Sequence, residues 1–135
     1  MSSALSSLPR RRWLLVLVAA LALSGFSRAE EQPPTVQLTV DYGDGVRKEF
    51  TRLPWKKGQT VLAALAAAAK HPRGIKFAQQ GSGETTLITA IDGLRNEGRG
   101  NNWTYEVGGK LGDRSAGVYE LQAGDVVLWK FAPYR

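Results

Sequence analysis

The sequence predicts an α+β domain in which one helix is laid across a mixed sheet of four to five strands. Three observations predict it. Apolar and polar residues alternate over Val36–Tyr42 and again over Asn102–Val107, the period of half-buried strands. An Ala- and Leu-dominated run, Val61–Lys70, is the one strong helix signal after the N-terminal region. Turn-forming pairs and triplets, among them Asp92-Gly93 and Gly108-Gly109, break the remainder into short strands.

The first strand carries Val36, Leu38, Val40 and Tyr42 on one face and Gln37, Thr39 and Asp41 on the other. Gly43-Asp44-Gly45 supplies the positive φ of a hairpin turn, and Val46–Thr51 returns with Val46, Lys48 and Phe50 on one face. Thr60 is the N-cap of the helix, and Val61, Leu62, Leu65 and Ala69 form its apolar face. His71-Pro72 ends it, because the residue before proline avoids the α region. Ile75–Phe77 is a short strand candidate, and Gly81-Ser82-Gly83 is a loop that no helix follows, hence no phosphate cradle. Thr85–Ile91 is a strand closed by Asp92-Gly93, and Leu94–Gly100 is a flexible, glycine-rich polar loop. Asn102–Val107 points Trp103, Tyr105 and Val107 inward, and Gly108-Gly109 turns the chain. Val118–Leu121 is a short strand or bridge, Ala123-Gly124-Asp125 a turn, and Val126–Phe131 the last strand. Leu62 and Leu65 are expected to be buried, with Val40, Phe50, Ile91 and Val126 around them. A hairpin, then a helix, then three or four strands is the order of the ubiquitin-like, β-grasp arrangement.

At 135 residues the chain holds one domain with a modest core. It has no Cys, which excludes a disulfide framework, a zinc–thiolate site and a thiol nucleophile. The formal net charge of +6 suggests nucleic acid until its location is read. Arg10-Arg11-Arg12, the apolar run Trp13–Leu23 and the small residues Ser27 and Ala29 compose a secretory signal peptide over residues 1–29. The apolar run is short for a bilayer span, which favours cleavage over the alternative of an uncleaved signal anchor. Cleavage after Ala29 removes four arginines and no acid, so +6 becomes +2 from Glu30 onward. The basicity is mostly an export signal, and nucleic acid is not an expected partner. Residues 30–35, with Pro33-Pro34, read as a linker, and residues 36–135 as the domain, with no membrane span after cleavage.

Catalytic chemistry finds little support. The lone His71 sits where a cation offsets a helix C-terminus, and Asp92 and Asp125 belong to turns. Ser82 has no base placed by motif, so no triad assembles. Neither a catalytic residue nor a metal site is expected, and no resident cofactor. Trp103 and Tyr105 alternate as core residues, yet they follow a polar loop of the kind that borders ligand grooves. Asn102-Trp103-Thr104 is a glycosylation sequon, expected to be incidental in a chain of bacterial character. Trp129-Lys130-Phe131 reads as alternating burial in the last strand.

Five phrases recur in order: Gly58-Gln59-Thr60-Val61-Leu62-Ala63-Ala64-Leu65; Ile88-Thr89-Ala90-Ile91-Asp92-Gly93; Asn102-Trp103-Thr104-Tyr105-Glu106-Val107-Gly108-Gly109-Lys110; Gly117-Val118-Tyr119-Glu120-Leu121; and Ala123-Gly124-Asp125-Val126-Val127-Leu128-Trp129. Together they resemble the transcobalamin-like C-terminal domain family, also called domain of unknown function 4430, over residues 36–131. The resemblance implies a small exported β-grasp module. In the eukaryotic cobalamin carriers such a module closes over a corrinoid held by a larger α-helical domain, which has no counterpart in these 135 residues. Where the family commonly has Asn-Gly-Lys, this chain has Gly108-Gly109-Lys110, which keeps the turn and removes an amide.

The expected function is therefore a non-enzymatic, exported binding module for a small ligand, with cobalamin a candidate by resemblance alone. The alternative is an extracytoplasmic interaction or structural module that engages a partner protein through a sheet edge. The expected ligand surface joins the Leu94–Asn102 loop to its neighbours through Asn101, Asn102, Trp103 and Tyr105. The Gly108–Arg114 turn at the other end of the same strand completes it, with Gly108, Gly109, Lys110 and Leu111 as its candidate contacts.

Overall fold

The computed structural model describes residues 32–134. The expected signal peptide and the first two residues of the linker lie outside the described residues. Strand β1 (Thr35–Asp41) hairpins into β2 (Arg47–Pro54), and helix α1 (Val61–Lys70) follows. Then come β3 (Phe77–Gln80), β4 (Leu87–Ile91) and β5 (Leu94–Arg95), and after them β6 (Asn101–Val107), β7 (Lys110–Leu111) and β8 (Val126–Pro133). Five strands form a mixed sheet in the order β2-β1-β8-β6-β7, and three form a second sheet in the order β3-β4-β5. Strand β1 runs parallel to β8, with Leu38 opposite Val127 and Val40 opposite Trp129. The second sheet was not foreseen, because β5 is two residues of the segment read as loop.

The alternation in β1 is fully expressed: Val36, Leu38 and Val40 are buried to the last atom. In β2 the period breaks. Val36 pairs with Leu53 but Leu38 with Phe50, so one extra residue is bulged into β2 and Phe50 and Leu53 both face the core. Val46, expected inward, is 54% exposed at the turn. The last strand is one residue out of the expected register: Val127, Trp129 and Phe131 point inward, while Val126 is 45% exposed. A single-residue shift exchanges the two faces of a strand completely.

Thr60 caps α1 as expected, its hydroxyl accepting from the Ala63 N–H at 3.1 Å. The buried face is Val61, Ala64, Leu65 and Ala68, the i, i+3, i+4, i+7 set, with Leu62 and Ala69 only half-buried on its flank. Two alanines at the centre of that face let the helix backbone approach β1 and β2. A 3₁₀ turn over Gly83–Thr85 does follow the glycine loop, but it has a single turn. Among the described residues no helix is long and apolar enough to cross a membrane.

Candidate functional site

Strand β6 carries the two aromatic residues singled out by sequence, and both serve the core. Trp103 is 4% and Tyr105 7% exposed. The Trp103 indole N–H donates to the Leu94 carbonyl at 2.7 Å, and its ring lies 5.0 Å from Phe131. The Tyr105 ring packs 5.4 Å from Trp129 and edge-on to Tyr119 at 5.8 Å, and its hydroxyl donates to the Arg114 carbonyl. Gly112 lies flat on that ring, where a Cβ would come within 2.2 Å of it. Burial, with the Asp113 charge behind it, pushes the Tyr105 phenol up to about 12, so it stays a donor across the neutral range.

The loop before β6 is tied down rather than flexible. Asn96 reaches across it: its Nδ2 donates to the Ile88 carbonyl of β4 at 2.9 Å, and its Oδ1 accepts from the Trp103 N–H at 2.8 Å. Asn102 is 6% exposed and spends its amide on the loop, accepting from the Gly98 N–H at 3.0 Å and donating to the Gly98 carbonyl at 2.8 Å. Its side chain thus already has partners, which leaves the sequon without a presented amide. Asn101, half-buried, opens onto a different depression beside Asp41, Arg47 and Lys130.

At the far end of β6 the chain turns through Gly108 and Gly109, whose φ values of 58° and 82° are the two positive angles of a tight hairpin turn. This projects Lys110 and Leu111 into solvent, Leu111 being 59% exposed. On one side of the hairpin lies a groove of about 800 Å³ that includes Lys110, Leu111, Arg114, Tyr119 and Glu120. Within it the Arg114 guanidinium stands 5.4 Å from the Tyr119 ring centroid and pairs with Asp113 at 2.9 Å. That hydrogen-bonded pair holds the Asp113 carboxyl below its usual range. On the other side, between β4 and β6, a cleft of about 230 Å³ is floored by Trp103, Tyr105 and Trp129. The expected residues therefore divide among three places. Gly108, Lys110 and Leu111 share the groove, Trp103, Tyr105 and Leu111 share the cleft, Asn101 and Asn102 lie apart from both, and Gly109 at the tip of the turn lines neither. Arg114 closes the Gly108–Arg114 turn that the sequence placed in the ligand surface, although no role was given to its side chain; Thr86 was missed, and Tyr119 and Trp129 stood in the quoted phrases without a role at the site.

The residues weighed for catalysis have structural partners. His71 caps α1, its Nδ1 accepting from the Arg73 N–H at 3.2 Å and its ring meeting Phe50 edge-on. Asp92 accepts from the Tyr42 hydroxyl, the Lys76 N–H at 2.9 Å and the Lys48 ammonium at 3.2 Å. Partial burial opposes its charge, and these three donors outweigh it, holding the carboxyl below its ordinary value of 3.8. Asp125 accepts from the Gln122 N–H at 2.7 Å. Among the described residues no three His, Cys, Asp or Glu side chains converge as a metal site would need.

Residues 58–132 match the model of a family described as domain of unknown function (DUF4430). No curated protein matches the chain. Among solved structures, haptocorrin in complex with Cbi is similar at 18% identity and a TM-score of 0.63, over 78% of this chain and 27% of that one. This chain thus spans about a quarter of haptocorrin. A candidate metal binding protein from Ruminococcus gnavus ATCC 29149 is similar at 15% identity and a TM-score of 0.57, over 77% of this chain and 100% of its own length. At such identities the likeness is one of fold.

Proposed function

The chain belongs to the family of domain of unknown function DUF4430, and from that premise we propose that it is an exported, non-enzymatic binding module of β-grasp type. Its ligand is a small molecule, with corrinoids the first class to try because haptocorrin, which shares the fold, was solved with Cbi. The observation that carries this reading is the β6–β7 hairpin. It holds the apolar Leu111 in solvent at the edge of a groove of about 800 Å³, within the usual range for small-molecule sites. The Tyr119 ring, with the Asp113-paired Arg114 guanidinium beside it, supplies an aromatic face in the same groove.

Thermal denaturation with corrinoids, sugars and peptides tests it, since a ligand at a hundred times its Kd stabilises by about 2.7 kcal/mol. With a ligand found, Leu111→Asp weakens binding more than tenfold, about 1.4 kcal/mol, while Lys56→Ala, at a residue that does not line the groove, does not. Unchanged affinity in Leu111→Asp rules the groove out. Export is checked by intact mass, with the secreted chain beginning at Glu30.

A second reading, a protein interaction module, is favoured by one feature. Strand β3 reads Phe77-Ala78-Gln79-Gln80 without a charge, pairs with β4 at one edge, and is mostly exposed. Uncharged edges accept an added strand. A partner captured by wild type and lost with Gln79→Pro supports it.

A further inference from the structure

We propose that the small cleft between β4 and β6 is a binding site for a compact, uncharged planar ring that carries a hydrogen-bond acceptor. Five large apolar side chains are exposed among the described residues, and three of them, Leu87, Leu111 and Tyr134, rim this cleft. Single exposed apolar residues are ordinary, whereas a cluster around one concavity marks a contact surface. Beneath the rim lie the rings of Trp103, Tyr105 and Trp129.

The chemistry of the occupant follows from two orphaned groups. Among the described residues, three buried side-chain polar atoms lack a hydrogen-bond partner, and two of them, Trp129 Nε1 and Thr86 Oγ1, belong to residues lining the cleft. Trp129 is 2% and Thr86 8% exposed. The contrast with the neighbouring indoles is informative: Trp55 and Trp103 each donate to a carbonyl, at 2.8 and 2.7 Å. An indole N–H can only donate, so what Trp129 lacks is an acceptor. Buried groups left in this condition call for a missing partner. Both atoms are closed to solvent, so a ring reaches them only by displacing residues of the lining.

Size and charge narrow the occupant further. About 230 Å³ lies below the usual range for drug-sized ligands, which suits one or two fused rings and excludes a macrocycle. The only charged residue in the lining is Arg114, already paired with Asp113, so the cleft has no free charge to offer an ionic ligand. Thr86, Leu87 and Trp129 carry this site, and none of them lines the groove on the other side of the hairpin. The proposal therefore goes beyond the corrinoid reading and stands without it.

Quinoline and naphthalene, alike in shape and different in one acceptor nitrogen, are the probes. Each is titrated into ¹⁵N-labelled protein while the Trp129 indole resonance is followed, its assignment fixed by its loss in Trp129→Phe. Quinoline is expected to move that resonance and to bind about tenfold more tightly than naphthalene, the effect of one hydrogen bond. Leu87→Asp at the exposed rim, which leaves the core intact, is expected to weaken quinoline at least tenfold. Equal affinities for the two rings, a Trp129 resonance that does not respond, or a Leu87→Asp protein that binds quinoline normally would each overturn the proposal. Corrinoid titrations read the groove and not this resonance, so either site can fail alone.

Discussion

Replacing Asn96 by Ala removes a side chain that ties β4 to β6 across the polar loop. Two backbone groups lose their partners together: the Trp103 N–H, which donates to Asn96 Oδ1 at 2.8 Å, and the Ile88 carbonyl, which accepts from Asn96 Nδ2 at 2.9 Å. Both residues are nearly sealed from water, Trp103 at 4% and Ile88 at 3% exposure, so solvent cannot readily replace the amide. A buried group left unpaired costs about 1–3 kcal/mol, and two of them, partly relieved by local relaxation, about 2–4 kcal/mol. With a urea slope of roughly 1–2 kcal/mol per molar, the unfolding midpoint falls by about 2 M. Asn96→Asp separates the two bonds. It keeps an acceptor for Trp103 and loses the donor to Ile88, so it is expected to lose roughly half as much. The assay is equilibrium urea unfolding at pH 7 followed by tryptophan fluorescence, with amide exchange at Trp103 as the local readout. If both variants unfold within about 0.3 M of wild type, the loop is not a structural tie and the reasoning fails.

Leu65→Ala, at a fully buried position on the inner face of α1, should cost about 2–5 kcal/mol by chemical denaturation; a near-zero cost would mean that the helix does not pack on the sheet. Asp92 gives the pH dependence its sign. Because its carboxyl is held below 3.8, the stability it contributes is present above that value and is lost as pH falls through the lower folded value. Asp92→Asn should therefore destabilise by about 1 kcal/mol at pH 7 and flatten the acid limb, and parallel curves for the two proteins from pH 7 to pH 2 would exclude this role.

What the sequence made legible was everything governed by local chemistry. The helix bounds followed from Thr60 and His71-Pro72, and β1 from strict alternation. What it hid depends on neighbours distant in the chain. The bulge that turns both Phe50 and Leu53 inward is fixed by pairing with Val36 and Leu38, and no periodicity in β2 announces it. Val126 and Val127 are chemically identical, so only the parallel pairing with β1 decides which is buried. The loop before β6 looked loose because Asn and Gly are loop formers, yet the same amides are what staple it. For the candidate site, the hairpin residues could be named from the Gly108-Gly109 turn. The cleft could not: an indole without an acceptor is a property of the packed molecule, and Trp129 looks like any core tryptophan in the chain.

The parallel pairing of β1 with β8 places the earliest strand of the domain against the latest, at the centre of the larger sheet. During synthesis the β1–β2 hairpin and α1 emerge with only one flank of their sheet available. Neither Leu38 nor Val40 can be enclosed until Val127 and Trp129 have been made. The larger sheet therefore cannot be completed until nearly the whole domain has been made. Contacts this distant in sequence also make the final closure slow compared with helix formation. For a chain exported as proposed above, such a delay keeps it threadable through a narrow translocation pore, where one that folded from its first hairpin would jam.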